Sequence, residues 1–142
     1  MANDLQSYRL RLILRLFFIV LLGTSAVTKL LDMPGFYELV RNYQALPEYL
    51  SPVAAWLLTL TELAQAIWLA SGRGLRAAAL AVCALHVFYL VWLSITLMRG
   101  LRLANCGCFG AYFARPLTGV TLIEDFAVLT LAFFLWRSAA RV

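Results

Sequence analysis

Residues 52–98 read PVAAWLLTLTELAQAIWLASGRGLRAAALAVCALHVFYLVWLSITLM, and this stretch decides the fold. It holds two apolar runs, each of the about 20 residues that a helix needs to cross a bilayer. Only Gly72-Arg73-Gly74 separates them, so the two helices must be antiparallel neighbours. Outward from this hairpin, runs of the same kind stand at about 12–31 and 118–136, which with about 52–71 and 76–98 makes four spans. Composition agrees: 63% of the 142 residues are hydrophobic and 13% are charged, about half the charged share of a soluble domain. So small a soluble chain could not bury this much apolar surface, whereas a bilayer can. The expectation is one domain over residues 1–142, an all-α integral membrane four-helix bundle in contact with lipid on its outer faces.

The first apolar run follows Arg9, Arg11 and Arg15 as the core of a signal peptide would, but it is long and three more follow it, so it is expected to be a retained helix. The net charge of +5 does not indicate nucleic acid, because the arginines flank apolar runs and form no basic face. They report topology. Arg9, Arg11, Arg15, Arg73, Arg76, Arg137 and Arg141 fall on one side, against Lys29, Arg41, Arg99, Arg102 and Arg115 on the other. Asp32, Glu38 and Glu48 lie on that second side, and Asp4 on the first. The expected location is a bacterial inner membrane, with both termini cytoplasmic and the 32–51 and 99–117 segments periplasmic.

In the first outer segment Phe36, Tyr37, Leu39, Val40 and Tyr43 alternate with Glu38, Arg41 and Asn42. This pattern suits a short interfacial helix, started near Pro34-Gly35 and stopped near Pro47, with its aromatics at headgroup level. In the third span Ala77, Ala81 and Ala84 share a face that permits close helix approach, as Gly23 and Ala26 could in the first.

The second outer segment contains Asn105-Cys106-Gly107-Cys108-Phe109-Gly110. Two cysteines one residue apart on an oxidising face invite a disulfide, and Gly107 relieves crowding in so tight a ring. Constrained, exposed disulfides exchange readily with thiols. Arg99, Arg102 and Arg115 nearby would favour a thiolate. The bland alternative is a bridge that merely pins the loop, although a ring this small removes little chain entropy. Metal is not expected, since two cysteines and no histidine make no closed site. Cys83 lies about fifteen residues before the outer end of its span, roughly 22 Å deep, and reads as a small buried residue. His86, the only histidine, reads as a packing residue or a proton carrier.

Charges inside spans are costly unless paired or facing a cavity. Glu62 sits mid-span with Thr59 and Gln65 three residues to either side, which makes a polar stripe. Glu124 and Asp125 stand about two turns into the last span, and Lys29 near the outer end of the first. Lys29 paired with Glu62 or Asp125 is one reading, and a polar pocket for a ligand or proton is the other.

Taken together, these residues make the chain resemble the MauE family of methylamine-utilisation membrane proteins, within the DoxX-like superfamily. The resemblance runs over about residues 10–136. It rests on Gly23 through Lys29-Leu30, Phe36, Tyr43-Gln44-Ala45-Leu46-Pro47, Glu62-Leu63, Asp125 and, most specifically, Cys106-Gly107-Cys108-Phe109-Gly110. It implies a four-helix membrane bundle acting in periplasmic thiol–disulfide chemistry, helping to form or protect disulfides in the small subunit of methylamine dehydrogenase. Four helices with an outer cysteine pair are also the working parts of quinone-coupled disulfide-forming enzymes, an analogy of architecture alone.

The expected activity is therefore that of a membrane thiol–disulfide oxidoreductase or maturation factor. Its partner would be a periplasmic thiol-containing client or a thioredoxin-like protein, with Cys106 the sulfur joined to it, and the pair would be reoxidised by a membrane quinone held near Glu62. The rivals are a non-catalytic scaffold subunit and a carrier of lipid or small molecules through the pocket around Glu62. The orientation has a direct check: after reduction, Cys106 and Cys108 should react with a membrane-impermeant thiol reagent added outside intact cells. Labelling from the cytoplasmic side alone would reverse the topology.

Overall fold

The computed structural model describes residues 2–140, with side chains from Leu5 to Ala140. Asp4 and Arg141, counted above for orientation, lie outside the described side chains. The described elements are α1 (Ala2–Leu31), α2 (Met33–Asn42), a 3-10 turn (Glu48–Leu50), α3 (Ser51–Ser71), α4 (Leu75–Met98) and α5 (Gly119–Ala139). Four of these helices are long and apolar enough to cross a membrane: α1 from Leu5, α3 with its preceding turn, α4 and α5. The fold is an all-α bundle of the multi-pass membrane type.

Each long helix buries one stripe and leaves the rest apolar and exposed. On α1 the stripe is Leu14, Phe18, Leu22, Ala26 and Lys29, at the three- and four-residue spacing of one helical face. Val20, Val27, Ile67, Leu80, Val91, Ile123 and Phe126 point outward, which only lipid accommodates at this density. The chief packing pairs are α1 with α3 and α4 with α5. At the end carrying the 72–74 turn, Leu14, Phe18, Leu22, Leu69, Ala79, Val82, Ala132 and Leu135 form the main core. At the same end Arg15 donates to the Leu69 and Ala70 carbonyls at 2.7 and 2.9 Å, closing the last turn of α3. One of the arginines read as topology signals is thus also a helix cap.

Two packing expectations are corrected. In α4 the buried residues are Ala78, Ala79, Val82, Leu85 and His86, whereas Ala77 and Ala84 are exposed. The inward face is set by the bulky Val82–Leu85 stripe, so the alanine face turns to lipid. A side chain added at Gly23 would meet nothing within 4 Å, so on α1 it is Ala26 that lies in close packing.

The second correction concerns α2, which begins where the Asp32 side chain accepts from Gly35 N at 3.0 Å and ends at Asn42, before the expected stop at Pro47. Its apolar face packs on α3, with Met33 and Phe36 buried against Ala55 and Leu58. Phe36 and Tyr43 are therefore buried inside the protein: α3 offers Phe36 an apolar wall, and Tyr43 packs against Leu93 and Leu117 with a hydrogen-bond acceptor in the loop. On the opposite face Arg41 pairs with Glu38 and Glu48.

Candidate functional site

At the loop end, α1, α3 and α4 meet around one buried ion pair. Lys29 Nζ lies 2.7 Å from both carboxylate oxygens of Glu62, and the two side chains are 3% and 2% exposed. Tyr89 of α4 donates to Glu62 Oε1 at 2.5 Å. Ser25 Oγ sits 2.8 Å from Glu62 Oε2 and 2.7 Å from the Cys108 carbonyl, so its single proton serves either. The Phe36 ring flanks the Lys29 ammonium at 5.0 Å. Of the two partners open to Lys29, the structure selects Glu62. Thr59 and Gln65 also face inward: Thr59 donates to Ala55 O at 2.8 Å, and Gln65 Nε2 donates to Ala81 O at 3.2 Å.

The cysteine loop rests on this centre. Gly110 has a φ of +67°, and a Cβ there would meet the Thr28 carbonyl at 3.1 Å and Lys29 N at 3.2 Å. Only glycine brings the loop backbone onto α1 at the lysine itself. Gly107, with φ +75°, makes the turn between the two cysteines. Asn105 accepts from Gly107 N at 2.9 Å and donates to Gly110 O at 3.2 Å. The flanks are tied together by Cys106 N to Arg115 O at 2.7 Å and Leu117 N to Leu103 O at 2.9 Å. Tyr43 donates to the Cys106 carbonyl at 2.5 Å. Burial and the adjacent sulfurs raise the phenol's pKa, which keeps it protonated as a donor.

The expected resting disulfide is corrected. The Cys106 and Cys108 sulfurs stand 2.6 Å apart and both cysteines are free, beyond the about 2.05 Å of an S–S bond. They form a hydrogen-bonded pair of thiols, and once the first proton has left the two sulfurs share the one that remains. The Cys108 thiol stabilises a thiolate on Cys106, the Cys108 backbone N–H adds a contact at 3.4 Å, and Arg115 adds charge. Together these outweigh burial and bring Cys106 down to about 6, while the same contact pushes Cys108 up. The first proton to leave thus belongs to the pair.

Of the three arginines expected to act on the sulfurs, Arg115 does so, and it is also paired with Glu124 at 2.5 Å. Arg99 instead donates to the Tyr43 and Gln44 carbonyls at 2.8 and 2.9 Å, holding the end of α2. Arg102 is exposed and is not among the groups that shift either sulfur. Sequence reasoning missed Cys108 as the main stabiliser of its neighbour, although the one-residue spacing was a signal for it. It also missed Ser25 and Tyr89, which carry no charge to betray them.

Both sulfurs, the ion pair and Asp125 open on one half-open cavity of about 520 Å³. Its wall is mostly apolar, with Leu22 and Phe36 on one side and Phe88 and Trp92 on the other. The size and lining fall in the range of small-molecule sites. His86 borders it, with Nδ1 2.9 Å from the Val82 carbonyl, so that nitrogen carries the proton. Cys83 belongs to the core at the opposite end and is not brought to the pair.

A dithiol in a loop, standing over a buried ion pair within a four-span bundle, defines a class of membrane protein with thiols on the wall of an apolar pocket. The chain belongs to the MauE family: the model of "Methylamine utilisation protein MauE" matches residues 8–138. It is 32% identical to methylamine utilization protein MauE of Paracoccus denitrificans over 119 residues, 84% of this chain and 64% of that protein. Against the protein of the same name in Methylorubrum extorquens it is 32% identical over 120 residues, again 84% of this chain and 64% of the relative. For Paracoccus versutus the identity is 35% over 110 residues, 77% of this chain and 59% of the relative. The chain thus spans somewhat under two thirds of these relatives. No solved structure matches it.

The ion pair and the thiolate each yield an expected outcome. Glu62→Gln leaves a buried ammonium without its counter-charge and should cost about 3–5 kcal/mol in unfolding measurements. Replacing both Lys29 and Glu62 by Met should recover most of that loss. Separately, alkylation of Cys106 should rise with pH around a midpoint near 6. In Cys108→Ala the thiolate loses its S–H donor, so the midpoint should move upward. An unmoved midpoint would place the stabilisation elsewhere.

Proposed function

We propose that this chain is a membrane thiol–disulfide oxidoreductase serving methylamine utilisation, in which the Cys106/Cys108 pair cycles between dithiol and disulfide. The observation that carries the reading is the pair itself: two adjacent sulfurs, one with a lowered pKa, at the mouth of an apolar cavity. As a disulfide, the pair accepts attack by a thiolate of a periplasmic client or a thioredoxin-like protein. The client's second thiol then resolves the mixed disulfide and leaves with the new bond, and the pair is left reduced. A membrane quinone in the cavity takes the two electrons back from the dithiol. The resemblance to methylamine-utilisation proteins supports a client within that system, such as the small subunit of methylamine dehydrogenase.

The geometry supports Cys108 as the sulfur joined to the client, reversing the choice made from sequence. Cys108 is half-buried, whereas Cys106 is 6% exposed. Attack at Cys108 also expels Cys106, the better leaving group because its thiolate is stabilised. Arg115 helps to hold that leaving thiolate.

One observation favours a second reading: the cavity is large and apolar enough to carry a small lipophilic molecule without any thiol chemistry. Trapping separates the two. Cys106→Ser should accumulate a mixed disulfide between Cys108 and a client or thioredoxin-like protein, seen on non-reducing gels and lost on reduction, with unfolding temperature nearly unchanged. Cys108→Ser should trap far less. If neither variant traps an adduct and both retain full function in cells, the carrier reading stands instead.

A further inference from the structure

Glu62, the acid that sequence suggested for a quinone site, has both oxygens engaged by Lys29, Ser25 and Tyr89. Glu124 is exposed and paired with Arg115. The remaining carboxyl on the cavity wall is Asp125 of α5, and its Oδ2 is buried without a hydrogen-bond partner. The groups around it are His86 and Tyr89 from α4, Cys108 from the loop, and across the cavity Lys29 of α1 and Glu62 of α3. Tyr89 donates to Glu62, His86 Nδ1 donates to Val82, and Lys29 is held by Glu62, and none of them hydrogen-bonds to Asp125 Oδ2. A buried polar atom left open on a cavity marks the place where a bound molecule completes the bonding.

We propose that Asp125 donates a proton to the ring oxygen of the quinone that reoxidises the dithiol. This rests on the oxidoreductase reading and adds the proton donor to it. The step balances as follows. The Cys106 thiolate and the Cys108 thiol lose two electrons and one proton, and the S–S bond forms. The quinone gains those two electrons, the Cys108 proton and the Asp125 proton, and leaves as the quinol. Asp125 is left as a carboxylate, and the net charge of the site is the same before and after. Its proton returns from the aqueous loop side before the next turnover. The cavity supplies what the transfer requires: both sulfurs and the carboxyl line the same mostly apolar ligand space.

The test uses purified protein in nanodiscs with the pair reduced and excess reductant removed. A short-chain ubiquinone analogue is mixed in, and loss of thiols and appearance of quinol are followed together. In a parallel arm the same dithiol is oxidised by an aromatic disulfide, which needs no proton at a quinone oxygen. Asp125→Asn should slow the quinone arm by about 100-fold and leave the disulfide arm unchanged, with Asp125→Glu restoring much of the rate. The wild-type quinone rate should rise as Cys106 ionises and carry a falling limb wherever the donor carboxyl is deprotonated. The falling limb should be absent in Asp125→Asn. If the wild-type dithiol does not reduce the quinone, the oxidoreductase reading with quinone fails and this proposal with it. If the wild type reacts and Asp125→Asn matches it in rate and pH profile, the proposal alone is overturned. Equal slowing of both arms also overturns it, since that marks a packing residue. Should Asp125→Asn not fold, a high-pH limb that Asp125→Glu leaves unmoved would decide against Asp125.

Discussion

The buried Lys29–Glu62 pair is the constraint on which the loop end of this protein depends. An ammonium and a carboxylate at the depth of the lipid tails are each expensive alone. They become tolerable only when the pair is close and its remaining valences are filled. Here that means α1, α3 and α4 must stand so that Lys29, Ser25 and Tyr89 all reach one carboxylate. Helix rotation about each axis is thereby set at the level of the site. Apolar packing elsewhere, with lipid as an equally good solvent for leucine, would specify it far more weakly.

The same centre fixes the loop. Gly110 packs against the backbone of α1 at Thr28 and Lys29, and Ser25 links the Glu62 carboxylate to the Cys108 carbonyl. A shift of the ion pair would therefore be felt at the sulfurs through one hydroxyl and one close backbone contact. From the other side Tyr43 holds the Cys106 carbonyl, and Arg99 in turn holds the Tyr43 carbonyl. The dithiol is clamped between the ion pair and the end of α2, and that placement brings it over the cavity.

The four spans were legible because hydropathy over twenty residues and the cost of a backbone exposed to lipid leave little choice. That Lys29 needed an acid was legible for the same reason. Which acid it takes was not: Glu62 and Asp125 both lie at plausible depths, and the selection depends on helix rotations that no local pattern encodes. The inward face of α4 failed in the same way, because counting small residues points to Ala77, Ala81 and Ala84 while the bulkier neighbouring stripe does the packing. Arg99 was misread for a different reason. Its charge suggested the sulfurs, but its guanidinium meets carbonyls more than fifty residues away in sequence, a contact only the tertiary fold creates. The cysteine block was legible as a candidate, since its residue types are rare in such a chain. Its bonding was not, because spacing permits both the bridge and the shared proton.

That last point bears on how the loop is held together. A bond closing a ring over one intervening residue removes little chain entropy and could not by itself order the segment. The structure shows that nothing of the kind is required: with the sulfurs unbonded, the loop is still held by the Cys106–Arg115 and Leu103–Leu117 backbone contacts, the Asn105 turn, Tyr43 and Ser25. None of these involves a sulfur atom. Forming an S–S bond here would take two electrons and the Cys106–Cys108 proton away to an oxidant, and none of the hydrogen bonds just named uses those sulfur atoms. The order of this loop is therefore independent of a bond between its two sulfurs, and it rests on the ion pair beneath it. For the exchange proposed above, a loop held in this way would need no refolding step.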